Sequence, residues 1–184
     1  MKKIIKASML AAVLLLIPAH ASAEDMYFDP YVGVGLGMFS LNTGSSSDWV
    51  TGGFAQLGAE INPYLSPQLR LGGAGQTGAT SGYSRAALDW FASYLLRVQV
   101  PATDVFMVYG LVGGTTMRTS LTPTGGSKLS DTSTKFSFGG GIEYNASKHL
   151  DIGAEWVRYG RGYKSASNRG LNVNGAMGVV KYSF

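Results

Sequence analysis

The fold class this sequence predicts is all-β: an eight-stranded, antiparallel, up-and-down transmembrane β-barrel preceded by a cleavable signal peptide. Three observations predict it. Apolar and polar residues alternate with period two in eight successive segments. The spacers between those segments are short and long in turn, as in a barrel with tight turns at one end and loops at the other. The chain also carries 26 glycines, which is poor material for helices at about 1 kcal/mol per interior position.

The leader comes first. Lys2, Lys3 and Lys6 form a positive region, residues 9–17 an apolar run, and Ala21-Ser22-Ala23 a small-x-small cleavage site. The run is far shorter than the ~20 residues a spanning helix needs, so the expectation is a signal peptide over residues 1–23. The alternative is an uncleaved anchor. Cleavage after Ala23 leaves residues 24–184, a length suited to one domain. The leader holds three of the chain's 15 basic residues, so 12 remain against 11 acidic. The high isoelectric point therefore reflects targeting and is no argument for nucleic-acid binding. Cysteine is absent, which excludes disulfides, cysteine-held metals and a lipidated cysteine.

The eight segments follow in order. Residues 30–41 alternate Val32, Val34, Leu36 and Met38 with glycines. Residues 49–61 set Ala55, Leu57, Ala59 and Ile61 against Gln56, Gly58 and Glu60. Residues 68–77 set Leu69 and Leu71 against Arg70 and Gln76. Residues 85–99 set Leu88, Trp90, Ala92, Tyr94, Leu96 and Val98 against Asp89, Ser93 and Arg97. In residues 105–118 the apolar face is read as Val105, Met107, Tyr109 and Leu111. Residues 134–145 set Phe136, Phe138, Ile142 and Tyr144 against Ser137, Gly139, Gly141 and Glu143. Residues 150–159 set Leu150, Ile152, Ala154 and Trp156 against Asp151, Gly153 and Glu155. Residues 171–184 end with Ala176, Gly178, Val180, Tyr182 and Phe184 on one face and Lys181 and Ser183 on the other. Lengths of 10 to 15 residues suit tilted strands crossing a bilayer. Closure is required because hydrocarbon offers no partner to an open sheet edge.

The segments YVGVG from Tyr31, VYGLVGG from Val108, FGGGIEY from Phe138 and VKYSF from Val180 resemble those of small eight-stranded bacterial outer-membrane barrels, the OmpA-like, OmpX/Ail-like and opacity-type surface-protein group. The resemblance covers residues 25–184. It implies a Gram-negative outer membrane, both termini in the periplasm, and a terminal aromatic strand, Tyr182 and Phe184, read by the barrel-assembly machinery. No further domain is expected after Phe184. A soluble lipocalin-like barrel is the rival fold; it requires the reverse arrangement, apolar within and polar without.

Two constellations of charge bear on function. Glu60, Arg70, Asp89, Arg97, Glu143, Glu155 and Lys181 fall on the minority polar face and are expected in the lumen, Glu60 facing Arg70. Such groups form a salt-bridged plug, or line a narrow porin-like pore. Arg158, Arg161, Lys164 and Arg169 cluster in a long spacer with Tyr159 and Tyr163 between them. They suit lipopolysaccharide phosphates or anionic host surface molecules, since guanidinium forks onto phosphate oxygens. Aromatic girdles are expected from Tyr31, Tyr64, Tyr144, Tyr182 and Phe184 at the short-turn end. At the loop end Phe39, Trp49, Trp90, Phe136 and Tyr159 are expected to do the same.

Catalytic patterns are weak. His149 is the only histidine after the leader, and it falls in a short spacer without companion ligands, so neither a metal nor a cofactor is expected. Residues 167–172 resemble a segment of the lipid A deacylase barrels, but the histidine that would precede it is missing. The expectation is a non-enzymatic, monomeric surface protein with structural and interaction roles; a channel for ions or small solutes is the alternative.

Overall fold

The computed structural model describes residues 28–42, 47–77, 83–123, 127–164 and 170–184. Eight strands form one closed antiparallel barrel in sequence order: β1 (Asp29–Asn42), β2 (Ser47–Glu60), β3 (Leu65–Ala74), β4 (Tyr83–Pro101), β5 (Phe106–Pro123), β6 (Leu129–Asn145), β7 (Leu150–Lys164) and β8 (Gly170–Ser183). Pairing of β1 with β8, from Tyr31 opposite Ser183 to Asn42 opposite Asn172, closes the ring. Three tight connections lie at one end. Each is pinned by a backbone bond: Ile61 N to Leu65 O, Ala102 N to Phe106 O, and Ala146 N to Leu150 O.

Burial separates the two faces. On β3, Arg70 is 2 % exposed and its neighbour Leu71 is 65 % exposed. The same inversion recurs around the ring, with Val34, Leu36, Leu57, Val112, Ile142, Ile152 and Val180 all outward and exposed. An apolar exterior belt is the opposite of what a lipocalin-like barrel presents to water, and its solvent is hydrocarbon.

The interior has two zones. The short-turn half is polar, and sequence reasoning anticipated that. The loop half holds a packed apolar cluster that includes Phe39, Phe54, Leu88, Phe91, Leu95, Met117, Val157, Tyr159 and Met177. The rings of Phe39, Phe91 and Tyr159 meet with centroids 5.0–5.8 Å apart. Tyr31, Phe39 and Tyr159 therefore point inward and do not belong to the girdles. The expected interfacial positions Tyr64, Tyr144, Tyr182 and Phe184 at one end, and Trp49, Trp90 and Phe136 at the other, are outward and exposed.

The face of β5 is also reversed from expectation. Tyr109 and Leu111 are buried in the lumen, while Val108 and Val112 are exposed outside. Both faces of this strand are apolar, so alternation alone carries no sign there. The hydroxyl of Tyr109 decides the matter, because it needs a polar partner and the lumen supplies one. Close approach matters here: a methyl on inward Gly141 would stand 2.6 Å from that hydroxyl.

At the loop end the strands outrun their predicted limits. β5 continues to Pro123 and β6 starts at Leu129, pairing through Ser- and Thr-rich positions such as Arg118 with Thr132, Thr119 with Asp131 and Ser120 with Ser130. β-branched threonine favours a paired strand over an open loop. On β7 the register slips between Arg158 and Gly160, and Gly160 takes φ 94°. A Cβ there would press on Lys135 Cβ at 2.7 Å. Gly160→Val is accordingly expected to lower the urea midpoint by the equivalent of about 1–2 kcal/mol. An unchanged midpoint would show that the slip relaxes without the glycine.

Candidate functional site

Three cations and four carboxylates meet in the lumen of the short-turn half. Arg70, on β3, forks onto Glu155 of β7 across the barrel, with Nη1–Oε1 at 2.5 Å and Nη2–Oε2 at 2.9 Å. Tyr109 donates its hydroxyl to the same carboxylate at 3.1 Å. Gln68 bridges onward; in the orientation that satisfies both neighbours, its amide nitrogen donates to Tyr31 Oη, and its oxygen accepts from Arg70 Nε and Nη2. The Arg70 guanidinium also lies 4.4 Å from the Phe54 ring centroid.

The second set is nearer the mouth. Arg97, on β4, forks onto Glu143 of β6 at 2.8 and 2.7 Å and stacks 3.9 Å over Tyr109. Lys181, on β8, stands 3.0 Å from Glu143, 3.1 Å from Glu60 and 3.2 Å from Asp151. Strand alternation produces this arrangement, since each of these residues occupies an inward position on its own strand. A buried charge is tolerable only when paired and hydrogen-bonded. Here every one of the three cations has a carboxylate partner within 3.2 Å. Beyond the network, a recess of about 460 Å³ opens at the short-turn end, lined by Asp29, Glu60, Asp104, Glu143, Asp151, Lys148 and Lys181.

Two expectations about this set are corrected. Glu60 does not face Arg70; it pairs with Lys181 on the other side of β1, because Arg70 reaches across the lumen to Glu155. Asp89 is not in the lumen. The β4–β5 ladder slips between Leu88 and Trp90, and this bulge turns Asp89 to the outer wall while Leu88 goes inside at 1 % exposed. There Asp89 accepts from Ser120 Oγ at 3.0 Å and Lys128 Nζ at 3.3 Å, with Arg118 Nε at 3.9 Å. Asp151 takes its place in the lumen count, which stays at four carboxylates to three cations. Sequence reasoning also missed Tyr109 and the buried hydroxyl ladder Ser93–Thr115–Ser137, joined at 2.7 and 2.8 Å. In each case the only signal was a hydroxyl at an inward step of the alternation.

Of the loop cations, Arg158 is exposed on the outer face of β7. Arg161 and Lys164 lie on the same strand as it extends past the barrel, paired with Asn172 and Gly170. Arg169, the first half of the 167–172 segment, and the cleavage-site residues Ala21 and Ala23 lie outside the described residues. At the chain's end Tyr182 and Phe184 point outward with their rings edge to face, 5.5 Å apart. His149 stacks on Tyr182 and its Nδ1 lies 3.1 Å from the Ser183 carbonyl oxygen. Among the described residues no group of three or more His, Cys, Asp or Glu is arranged to hold a metal.

The model of the outer membrane protein beta-barrel domain matches residues 9–184. Among solved structures, Ail of Yersinia pestis in complex with the heparin analogue sucrose octasulfate is similar over 86 % of this chain and 100 % of its own, at 14 % identity and TM-score 0.61. Neisserial surface protein A is similar over 84 % and 97 %, at 14 % identity and TM-score 0.64. The N-terminal β-barrel domain of Pseudomonas aeruginosa OprF gives 84 % and 97 %, 12 % and 0.57. At these identities the likeness is one of fold. Among curated proteins no match is found.

Proposed function

Because this chain belongs to the outer membrane protein beta-barrel domain family and is an outer-membrane protein, we propose that its barrel serves as an anchor and that its function lies in what the loop end touches. On this reading it is a non-enzymatic, monomeric surface protein. Its basic loop-end strands contact anionic partners, either lipopolysaccharide or sulfated and phosphorylated host polymers. The outward aromatic pair Tyr182 and Phe184 serves as the signal to the barrel-assembly machinery.

The filled lumen is the observation that carries the proposal. Among the described residues, buried ion pairs occupy the short-turn half of the lumen and the apolar cluster occupies the loop half in series with them. A barrel without a clear path has its outer surface left to work with. Arg158 is exposed on that surface toward the loop end, on the strand that continues through Arg161 and Lys164, and arginine favours oxyanion ligands. Ail, of similar fold, is known in complex with a sulfated sugar, which supports the same ligand class here.

The test is binding to immobilised heparin across a salt series. The triple variant Arg158→Gln, Arg161→Gln and Lys164→Gln should elute at clearly lower salt than the parent, with unchanged heat-dependent gel mobility. Equal elution would remove the basic strand from the proposal. The channel reading has one feature in its favour, the charged recess at the short-turn mouth, and its own test is conductance.

A further inference from the structure

On the outer wall of the barrel, the β4 bulge builds a second basic site that the lumen and the loop cluster do not use. Asp89 sits at its centre, with Lys128 and Ser120 on one carboxylate oxygen and Arg118 near the other. Arg118 also donates to Ser130 Oγ at 3.3 Å. A recess of about 200 Å³ adjoins them, lined by Gln76, Arg85, Ala87, Asp89, Ser120, Thr122 and Lys128. Arg85, Arg118 and Lys128 against one aspartate leave two positive charges in excess. The side chains of Arg118 and Lys128 are 50 % and 60 % exposed, so both keep donors toward the outside. Asp89 holds together two cations that would otherwise repel and splay. Orienting them in advance lowers the entropic cost of capturing an anion.

Height along the wall selects the anion. Arg118 is in register with Trp90, an outward interfacial aromatic, while Ser120 pairs with Ala87 and Thr122 with Arg85. Successive residues rise about 3.3 Å along a strand, so Ser120 and the recess lie roughly 5–7 Å above the aromatic level. That is about the depth of one headgroup layer beyond the hydrocarbon. The lining positions Arg85, Ala87, Ser120 and Thr122 alternate with the buried Ala86, Leu88 and Thr119, so the recess lies on the outer wall. A soluble polymer approaching along the barrel axis meets the loop end before this site. The bulge matters chemically because an unslipped β4 would turn Asp89 into the lumen and leave Arg118 and Lys128 without their tether.

We infer that Arg118 and Lys128, organised by Asp89, and Arg85 on the adjoining recess form a binding site for a phosphate of lipopolysaccharide in the protein's own outer leaflet. This rests on the reading that the loop end is the outward end, but it does not depend on a host ligand.

The experiment uses the protein isolated from outer membranes and placed in nanodiscs of phosphatidylcholine. The discs contain either bisphosphorylated lipid A, monophosphorylated lipid A or no lipid A. The thermal midpoint is read by loss of heat-dependent gel mobility. Bisphosphorylated lipid A should raise the parent's midpoint in a dose-dependent way. Arg85→Gln with Lys128→Gln should weaken the apparent lipid A affinity by about tenfold or more, with no change in lipid-A-free discs. Lys148→Gln, the control at the short-turn end of the barrel, where Lys148 is exposed, should keep the full shift. Heparin elution of the same variants separates the two sources of oxyanion. Loss of the lipid A shift with heparin binding intact supports the inference. A full lipid A shift in the double variant overturns it, as does loss of heparin binding with the shift retained. If Arg158, Arg161 and Lys164 prove irrelevant to heparin while the lipid A result holds, the loop proposal fails and the bulge site stands. Should the double variant fail to assemble, Arg85→Lys with Lys128→Arg, which keeps charge and changes geometry, is read in the same assay. A partial loss of affinity supports the site and an unaltered shift overturns it.

Discussion

Glu155→Gln is expected to destabilise the folded barrel by about 3–5 kcal/mol, the range for stripping one partner from a buried ion pair. The magnitude follows from what is left behind. Arg70 and Glu155 are 2 % and 0 % exposed at their side chains, so water does not replace the lost carboxylate. The guanidinium would keep the Gln68 oxygen, the Phe54 face and one neutral amide oxygen where it had two charged ones, and Tyr109 would lose the charged acceptor of its hydroxyl. Urea titration in micelles, followed by tryptophan fluorescence and heat-dependent mobility, measures the loss. The pair is not thereby worth that much as a net stabiliser. Arg70→Met with Glu155→Leu and Tyr109→Phe removes every charge at once and should return most of the stability, because desolvation offsets most of the Coulomb gain of a buried pair. A cost below about 1 kcal/mol for Glu155→Gln would mean that water reaches Arg70, and so that the lumen is wet.

That prediction rests on contacts only partly legible in the sequence. The barrel itself was readable, since alternation on seven of the eight strands separated an apolar outside from the other face, and the spacers marked two unlike ends. What alternation reports is parity, and parity fails wherever one residue is inserted. At Asp89 a single bulge moved a carboxylate from the lumen to the outer wall. On β5 both faces are apolar, so parity had no sign to read until the Tyr109 hydroxyl was placed. Pairing across the lumen was beyond it altogether. Arg70 and Glu155 are 85 residues apart on strands that share no ladder, and only barrel closure brings them together. The apolar half of the interior was missed for a related reason. Phe54, Leu95 and Val179 sit on faces that also carry Gln56, Arg97 and Lys181, so each strand's inner face changes character part-way along, which a count by faces averages out.

The apolar half governs the second large effect. In planar bilayers the parent barrel should be electrically silent, and Arg97→Ala should be silent too. Removing Arg97 frees Glu143 to rest on Lys181 alone and loosens the short-turn half. The cluster of Phe39, Phe91, Tyr159 and their neighbours still stands in series above it. An ion entering that segment would shed most of its hydration against aromatic and aliphatic side chains, and a dry constriction blocks current as firmly as a closed gate. Opening a path therefore needs the cluster thinned as well. Arg97→Ala combined with Phe91→Ala and Tyr159→Ala should give discrete cation-preferring openings, since the lumen then keeps four carboxylates against Arg70 and Lys181. Each aromatic truncation costs about 3–5 kcal/mol, so folded material must first be verified by heat-dependent mobility. Reproducible openings from the parent, or from Arg97→Ala alone, would show that the cluster is no barrier and would transfer the function from the loop end to the lumen. Silence in the triple variant, with folding verified, would place the barrier in the remaining Arg70–Glu155 layer. In that case Glu155→Gln would be the substitution that lets current through.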